Sequence, residues 1–551
     1  MSDAARRGLG SVVWASRIAR LDRWVHAPAD WLTIGGAWAA AALVVLAPLF
    51  LLPGLYLSAM PHDSLSMADI GYRMAAGQTP GRDFHSAFGV LFQAQMGLGM
   101  RLGGTVAGCL KIATAAFVLV AGGFAAYVAR RRLSNLGAAA AVFSLMLLGA
   151  APYARADAAI SGVTFAMIYN REAWSVLTIA ALFWLSPRRG PRPRLDAAVL
   201  GLLVAACLYM KVSYGGLALI FAAAWLMARE RRLDAAGVLA SVLLACAAAV
   251  EVIFGPGFNL AYLRDILLVA AAGGGRIAHI VFTLLDARYE LVVVCVFVPL
   301  ILAATGVFRR DTYLFALATA GAAVLVVWQN AQVEGLVLLW AGLAAMLEPQ
   351  LADPVDAGSP SRPPFARLAT VIYAAWTALV VGPSAVAMLL YMYGAASVPA
   401  QDPAIPMIAD VRFQPGKPQA RTPGVIDGDL YAAALSDGVG LLAACPAGAK
   451  VYTLDLFEPF TMLTRRPPNA AWTWHDPGHS FTDRVHPTAA AELGDVGCVM
   501  IPRQPIKPAS TRGLLSLYGP YIDANFPAVR TSADWTLRMR AAAAPTPGRG
   551  G

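Results

Sequence analysis

The stretch WLTIGGAWAAAALVVLAPLFLLPGLYL, residues 31–57, contains no charged side chain. A helix needs about 20 apolar residues to cross the hydrocarbon core of a bilayer. The run is too long for the apolar part of a cleavable signal peptide, and no persuasive cleavage site follows it. We therefore expect residues 31–57 to form the first membrane anchor, preceded by a basic segment over residues 1–30 that stays in the cytoplasm.

The composition extends this expectation to most of the chain. Of its 551 residues, 58% are hydrophobic and 14% are charged, whereas a soluble domain has about 25% charged residues. The mean hydropathy is +0.59. Further apolar runs predict spans at 106–128, 136–152, 173–187, 195–211, 213–228, 235–254, 289–307, 312–328, 333–347 and 367–393. The fold expected for residues 31–393 is a mainly α-helical, polytopic transmembrane bundle with about eleven spans.

The basic residues predict an orientation. The net charge is +10, and the arginines lie in short clusters between apolar runs. This pattern is typical of cytoplasmic loops and not of a nucleic-acid-binding face. All clusters fall on one side only if residues 86–104, with Gln93, Gln95 and Arg101, form an interfacial or re-entrant segment. We then expect a bacterial inner-membrane protein with a cytoplasmic N-terminus and a periplasmic C-terminal domain.

The composition becomes that of a soluble protein after residue 393. Residues 394–428 are rich in proline and glycine and predict a linker. Residues 429–540 predict a small α/β domain, and residues 541–551 predict a disordered tail. The expected elements are helices at 429–444 and 510–522 and parallel strands at 451–454 and 496–501.

The cysteines fall into two groups. Cys445 and Cys498 are the two in the C-terminal domain, and they are disulfide candidates if that domain is exported. The others, Cys109, Cys207, Cys246 and Cys295, lie in apolar runs and are expected to be packing residues.

The first loop after the anchor, residues 58–105, carries the most informative motif. It contains PHDSLSMADIGYRMAAGQTPGRDFHSAFGVLF over residues 61–92. The spacing of its apolar residues predicts a short amphipathic helix over residues 64–76. Asp69 lies four residues before Arg73, which is the spacing of an ordinary intrahelical ion pair.

This loop resembles the first outer loop of the GT-C superfamily of membrane glycosyltransferases. Those enzymes take a sugar from a polyprenyl-phosphate carrier, and they include protein O-mannosyltransferases, the lipid A aminoarabinose transferase and arabinofuranosyltransferases. The resemblance assigns the family's catalytic acid to Asp63 and its second acidic position to Asp83. Many relatives have Asp-Glu where this chain has Asp63-Ser64, and many have His-Pro-Pro where it has His85-Ser86-Ala87. Substrate details therefore do not carry over.

The proposed chemistry suits these residue types. Inverting transfer needs a base that accepts the proton of the acceptor hydroxyl, and a carboxylate serves this purpose. Asp63 fits that role, and the alternative is a solvated or helix-capping residue. Asp83 fits direct chemistry or a structural or metal-binding role.

Cations near the leaving phosphate would stabilise its developing charge. The candidates for binding the donor phosphate are Lys211, Arg171, Arg264 and Arg276. Lys211 ends an apolar run, so the alternative is a snorkelling anchor. Arg171 lies beside Glu172, so the alternative is that Glu172 neutralises its charge. For Arg264 and Arg276 the alternative is a place in a solvated connector. Candidates for contacts with the sugar or acceptor are Tyr72, His85, Asn170, Tyr214, Gln329 and Asn330, of which the last two alternatively cap helix ends.

These features predict an inverting glycosyltransferase that moves a sugar from a polyprenyl-phosphate carrier to a glycan, lipid or protein acceptor at the outer face of the inner membrane. The alternatives are a transporter or flippase of a lipid-linked sugar, which would favour internal repeats that we do not find, and a non-catalytic subunit of an envelope polysaccharide assembly.

The sequence predicts no cofactor and no specific metal ligands, and it leaves a divalent metal requirement open. The loop with Trp472, Trp474, His475, Asp476 and His479 has no standard zinc spacing. We expect this loop to pack against the membrane domain, with stacking on a sugar as the alternative.

Overall fold

The computed structural model describes Arg17 and residues 20–58, 60–86, 88–154, 162–228, 232–272, 310–330, 337–352, 363–399, 405–413, 428–478 and 480–541. Within these residues the chain is mainly helical, as predicted. The strands form two short pairs and one four-stranded sheet.

Helices make up most of the membrane part that the structure describes. They are α1 (Trp31–Leu51), α2 (Pro61–Ala75), α3 (Val90–Gly103), α4 (Val106–Arg132), α5 (Asn135–Ala150), α6 (Ile168–Ala181), α7 (Pro193–Met210), α8 (Val212–Met227), α9 (Arg232–Phe254), α10 (Phe258–Ala272), α11 (Arg310–Asn330), α12 (Leu339–Ala352) and α13 (Pro363–Ser397). Five helices of the described ranges are long and apolar enough to cross a bilayer: α1, α4, α7, α9 and the Ala369–Ser397 part of α13. The predicted span 289–307 lies outside the described residues, and the total of about eleven spans stays a prediction.

The first anchor is shorter than predicted. Asp30 begins α1, because its side chain accepts the backbone N–H of Thr33 at 2.7 Å and so satisfies one of the free donors at the helix start. After Leu51 the chain turns through Gly54, whose φ is +81°, into strand β1 (Leu55–Leu57). The last residues of the apolar run 31–57 are therefore a strand and not helix, since the Pro-Gly pair at 53–54 favours a turn.

Two helices occupy the first outer loop. The helix predicted over 64–76 is present as α2, and it begins earlier because Pro61 suits the first helical position. α3 has 14 residues, so it is about 21 Å long, less than the hydrocarbon thickness of about 30 Å. α3 packs against both α2 and α4. That residues 86–104 form an interfacial or re-entrant segment stays a prediction.

Short strands connect the loops on this side of the bundle. β2 (Tyr153–Ala154) and β3 (Val163–Thr164) form an antiparallel pair, and the N–H of Ser58 donates to the carbonyl of Val163 at 3.2 Å. β4 (Val411–Phe413) pairs in parallel with β1. Residues 405–413, assigned to a linker from composition, thus contain a strand that pairs with the end of the first apolar run.

The C-terminal domain is a small α/β unit. Its strands are β5 (Val451–Thr453), β6 (Cys498–Pro502), β7 (Ala528–Thr531) and β8 (Trp535–Met539), and its helices are α14 (Gly428–Leu441), α15 (Phe460–Leu463), α16 (Ala489–Leu493) and α17 (Pro508–Asn525). The sheet order is β5-β6-β8-β7. β5 and β6 are parallel, as predicted, and the antiparallel hairpin β7–β8 was not predicted. A disulfide bond joins Cys445 to Cys498.

The opposite end of the bundle, where α1, α5 and α7 begin, is held by buried ion pairs. Asp196 accepts from Arg132 at 2.7 Å and from Arg131 at 3.3 Å. Glu348 accepts from Arg188 at 2.7 Å. The arginines that predict cytoplasmic loops therefore also connect the helix ends to one another.

Candidate functional site

Asp63 lies in the first turn of α2, immediately after the first anchor. The residue before the helix is Met60, whose φ of 48° lies in the left-handed region that favours glycine. Met60 is the N-cap, so the interpretation of Asp63 as a helix N-cap is wrong. The carboxylate instead lies at the N-terminal end of α2, where the helix dipole favours negative charge.

The surroundings of Asp63 tune its acidity. The residue is only 8% exposed, and burial raises the pKa of its carboxyl to about 7. The Nε2 atom of His62 lies 3.3 Å from Asp63 Oδ1. Burial lowers the pKa of His62 to about 4, so this contact is made by a neutral ring at pH 7. Asp63 is therefore poised to exchange a proton near neutrality.

Lys211 occupies the connection between α7 and α8. Its Nζ donates to Asn170 Oδ1 at 3.1 Å and lies 5.6 Å and 5.3 Å from the ring centres of Tyr169 and Tyr214. Burial lowers the pKa of Lys211 to about 7. Aromatic faces stabilise a partly buried cation, and a bound anion would stabilise the protonated form of Lys211 further.

Tyr169 links these two groups. Its ring lies against Lys211, and the pKa of its hydroxyl is raised by burial and then by the charge of Asp63. The N–H of Gly89 also donates to the carbonyl of Met210 at 3.1 Å, which holds the first outer loop against the end of α7. The predicted base and the predicted phosphate-binding lysine therefore both lie near Tyr169. Tyr169 itself was absent from the predicted set.

The first turn of α6 lines the same region. Asn170, Arg171 and Glu172 are all buried, and Glu172 accepts from Gln95 Nε2 at 2.7 Å. Met167, which precedes this helix, has a φ of 54° and is a second non-glycine residue in the left-handed region. Such conformations cost of order 1–3 kcal/mol and are found at functional sites. Phosphate binding by Arg171 and its neutralisation by Glu172 both stay predictions.

The C-terminal domain contributes two aromatic residues beside Asp63. The ring of Trp474 stacks on His62 with 6.4 Å between centres. Tyr431 of α14 is buried, and burial followed by the charges of Asp455 and Asp63 raises the pKa of its hydroxyl. Within the described residues, neither the Tyr431 hydroxyl nor His62 Nδ1 has a hydrogen-bond partner. Buried polar atoms without a hydrogen-bond partner are suited to bind a substrate.

Arg73 fastens α2 to the C-terminal domain. It forms the predicted pair with Asp69 at 2.7 Å, and it donates to the carbonyl of Asn469 at 2.8 Å and to its side-chain oxygen at 3.0 Å. Tyr72, a predicted sugar contact, donates its hydroxyl proton to the carbonyl of Arg466 at 3.0 Å. These bonds hold Asp63 in a fixed position relative to Tyr431 and Trp474.

A second polar cluster surrounds His85. Its Nδ1 lies 2.8 Å from Asp265 Oδ1, and this hydrogen bond raises the pKa of His85. Trp472 stacks on the His85 ring at 5.4 Å between centres. Arg264, a predicted phosphate ligand, is exposed on α10, and its charge acts on His85. The aromatic loop of the C-terminal domain thus packs on the first outer loop, as expected.

Asp83 has a different setting from Asp63. Its Oδ2 accepts the N–H of Thr79 at 2.7 Å and its Oδ1 lies 3.4 Å from Arg82 Nε, at an exposed turn. This arrangement holds the turn together, and catalysis by Asp83 stays a prediction. Arg276 lies outside the described residues. Gln329 and Asn330 end α11, and their side chains lie outside the described part of the chain.

Metal ligands are not grouped in the part of the chain that the structure describes, where no cluster of three or more His, Cys, Asp or Glu side chains occurs. Asp476 of the aromatic loop pairs with Lys507 at 2.5 Å, and His475 is buried. His479 lies outside the described residues.

No protein-family model matches the sequence, and no curated protein matches it. The structure is similar to the arabinofuranosyltransferase AftD from Mycobacteria, at 14% identity and a TM-score of 0.41, over 95% of this chain and 40% of that one. It is also similar to the oligosaccharyltransferase of Archaeoglobus fulgidus, at 12% identity and a TM-score of 0.40, over 85% of this chain and 68% of that one.

Both similar proteins are GT-C-type membrane glycosyltransferases, the family that the first outer loop resembles in sequence. This chain spans about 40% of the length of AftD. Because both TM-scores lie below 0.5, the function proposed next depends on the geometry of the site.

Proposed function

We propose that this protein is an inverting membrane glycosyltransferase. Its donor is a sugar linked to polyprenyl phosphate, and its acceptor is a hydroxyl group of a glycan, lipid or protein at the outer face of the inner membrane. The single observation that carries the proposal is the placement near Tyr169 of a buried carboxylate, Asp63, whose pKa is raised to about 7, and a partly buried lysine, Lys211.

The chemical step uses these two groups in different roles. Asp63 accepts the proton of the acceptor hydroxyl as that oxygen attacks the anomeric carbon. The bond between the anomeric carbon and the phosphate oxygen breaks, and its electron pair leaves on polyprenyl phosphate. The ammonium of Lys211 stabilises the charge that develops there, and attack from the opposite face inverts the anomeric configuration.

The surrounding residues divide into acceptor and donor sides. Tyr431, Trp474 and His62 lie on the Asp63 side, where the acceptor must approach its base. Asn170 and Tyr214 lie on the Lys211 side, where the donor phosphate is expected. The lysine follows α7, a membrane-length helix, so a lipid-linked donor reaches it from the bilayer with its phosphate at the surface.

The proposed orientation has two supports. Basic clusters lie at the end of the bundle opposite Asp63, which is the pattern of cytoplasmic ends. The disulfide between Cys445 and Cys498 suits an oxidising compartment such as the periplasm.

The test is transfer by the full chain in lipid nanodiscs. The purified protein is given a panel of polyprenyl-phosphate-linked pentoses and hexoses with membrane extract as acceptor, and release of polyprenyl phosphate is measured. We expect Asp63→Asn to lower transfer by about 10²–10⁴-fold. The matched control is Asp523→Asn, which makes the same change at an exposed ion pair with Arg538 in the C-terminal domain.

Full transfer by Asp63→Asn would remove Asp63 as the base. Movement of the lipid-linked sugar across proteoliposomes without release of polyprenyl phosphate would instead support a flippase and contradict the enzyme proposal.

A further inference from the structure

A second candidate site lies at the end of the bundle away from Asp63. It is a cavity of about 570 Å³ lined by four arginines, Arg130, Arg131, Arg189 and Arg192, and by the rings of Trp31 and Tyr127. None of these residues takes part in the proposed transfer.

The helices set the depth of this cavity. Trp31 is the first residue of α1 and Arg130 lies in the last turn of α4, while Arg192 precedes α7. All three helices are of membrane length, and Asp63 and Lys211 follow the other ends of α1 and α7. Because α1 has 21 residues, it separates the two sites by about 31 Å. The cavity therefore lies at the opposite membrane boundary.

The charges in the cavity do not balance. Asp196 is shared between Arg131 and Arg132, and the carboxylate of Asp30 is used in capping α1. Across the described ranges, no acidic side chain pairs with Arg130, Arg189 or Arg192.

Two of these arginines are held in place by neighbouring groups, and each retains an N–H group that has no acceptor in the described residues. The guanidinium of Arg130 lies 4.3 Å from the ring centre of Trp31, and Arg189 donates to the carbonyl of Ala29 at 2.9 Å. The Nε atoms of both are buried and have no hydrogen-bond acceptor in the described residues. A buried donor on a cation is costly unless an acceptor, and best an anion, meets it.

We propose that this cavity binds the phosphate of an anionic phospholipid from the membrane leaflet opposite Asp63. Guanidinium groups match phosphate oxygens with paired hydrogen bonds, and basic pockets between spans bind lipid head groups at the cytoplasmic side. Trp31 is 60% exposed at the rim, and tryptophan favours the boundary between head groups and acyl chains. We favour a lipid head-group phosphate over free phosphate as the ligand, because the cavity opens at the boundary between head groups and acyl chains. This site is independent of the proposed transfer.

The test uses native mass spectrometry of the full chain in detergent with added phosphatidylglycerol, phosphatidylcholine of the same acyl chains, or inorganic phosphate. We expect phosphatidylglycerol to bind about tenfold more tightly than phosphatidylcholine. In the double variant Arg130→Gln/Arg189→Gln its binding weakens about 25-fold, since each cation near a membrane surface contributes about fivefold. The control Arg194→Gln changes an exposed arginine that lies 3.9 Å from Asp234, outside the cavity, and keeps wild-type binding.

Should the double variant fail to fold, Arg192→Gln at the exposed rim gives the same test with an expected loss of about fivefold. Equal binding of both lipids, or of phosphatidylglycerol by wild type and variant, overturns the site. Inorganic phosphate bound as tightly as phosphatidylglycerol overturns the lipid assignment and identifies a soluble phosphate as the ligand.

Discussion

Two sets of charged residues at opposite ends of the helical bundle differ in how their charge is balanced. At one end Asp196 and Glu348 each accept from an arginine at 2.7 Å. At the other end Asp63 touches a neutral histidine and Lys211 touches an amide and two tyrosine rings, and burial brings the pKa of both groups to about 7. Paired charges lock helices together, whereas groups poised near neutrality exchange protons and bind anions. Asp196 and Glu348 therefore stabilise the fold, whereas Asp63 and Lys211 are the proposed reacting groups.

The largest effect is expected from removing the carboxylate of Asp196. Asp196→Asn leaves Arg131 and Arg132 buried without their shared partner, which should cost about 3–5 kcal/mol of unfolding free energy. Asp63→Asn should leave the unfolding temperature unchanged or raise it, because no ion pair is lost there. Thermal unfolding in detergent measures the stability of both variants. Equal destabilisation by the two would contradict the difference drawn between Asp196 and Asp63.

The next effect concerns the charge of Lys211. Lys211→Met removes a charge that stabilises the leaving phosphate, so kcat/KM for the donor should fall about 10²–10³-fold. Lys211→Arg keeps a positive charge at the same position and should recover a large part of this loss. Steady-state transfer in nanodiscs tests both variants. A defect confined to the KM of the acceptor would argue that Lys211 does not contact the donor.

A pH profile sharpens the comparison further. Transfer needs Asp63 ionised, so kcat/KM should fall about tenfold per unit as the pH drops below about 7. It also needs Lys211 protonated, so kcat/KM should fall similarly as the pH rises above about 7. In Lys211→Arg the alkaline limb should disappear below pH 9, because a guanidinium stays charged; a limb that persists would belong to another group.

The smallest effect is expected at Asp83. Asp83→Asn keeps an oxygen that accepts the N–H of Thr79 and loses only an exposed contact with Arg82. Such surface pairs contribute about 0–1 kcal/mol, so stability and transfer should both change little. A loss of transfer as large as that of Asp63→Asn would instead give Asp83 a direct part in the chemistry.

Local sequence patterns predicted the elements that local physics determines. Apolar runs located the membrane-length helices, and the spacing of Asp69 and Arg73 predicted a pair that the structure contains. The C-terminal strands β5 and β6 followed from short β-branched runs. The hairpin β7–β8 was missed, although its two runs flank a three-residue turn, Ser532 to Asp534; the exposed edge strand β7 has little apolar alternation.

The site was predicted only in part, because its remaining members meet through tertiary packing. Asp63 could be proposed from the resemblance of the first outer loop to GT-C enzymes, and Lys211 from its position at the end of an apolar run. Tyr431 could not, since no local pattern indicates that residues 63 and 431 approach each other. For the same reason, the sequence did not predict the contact between His85 and Asp265 or the pairing of β4 with β1.

The β1–β4 pair means that the C-terminal domain is not a detachable module. Leu55 and Val411 are register partners, so the segment before the domain completes a strand pair that begins right after the first anchor. A chimera that exchanges the C-terminal domain at residue 400 would also replace β4 and mismatch that register. A junction placed after residue 413 would keep the native pair, which makes it the better splice point.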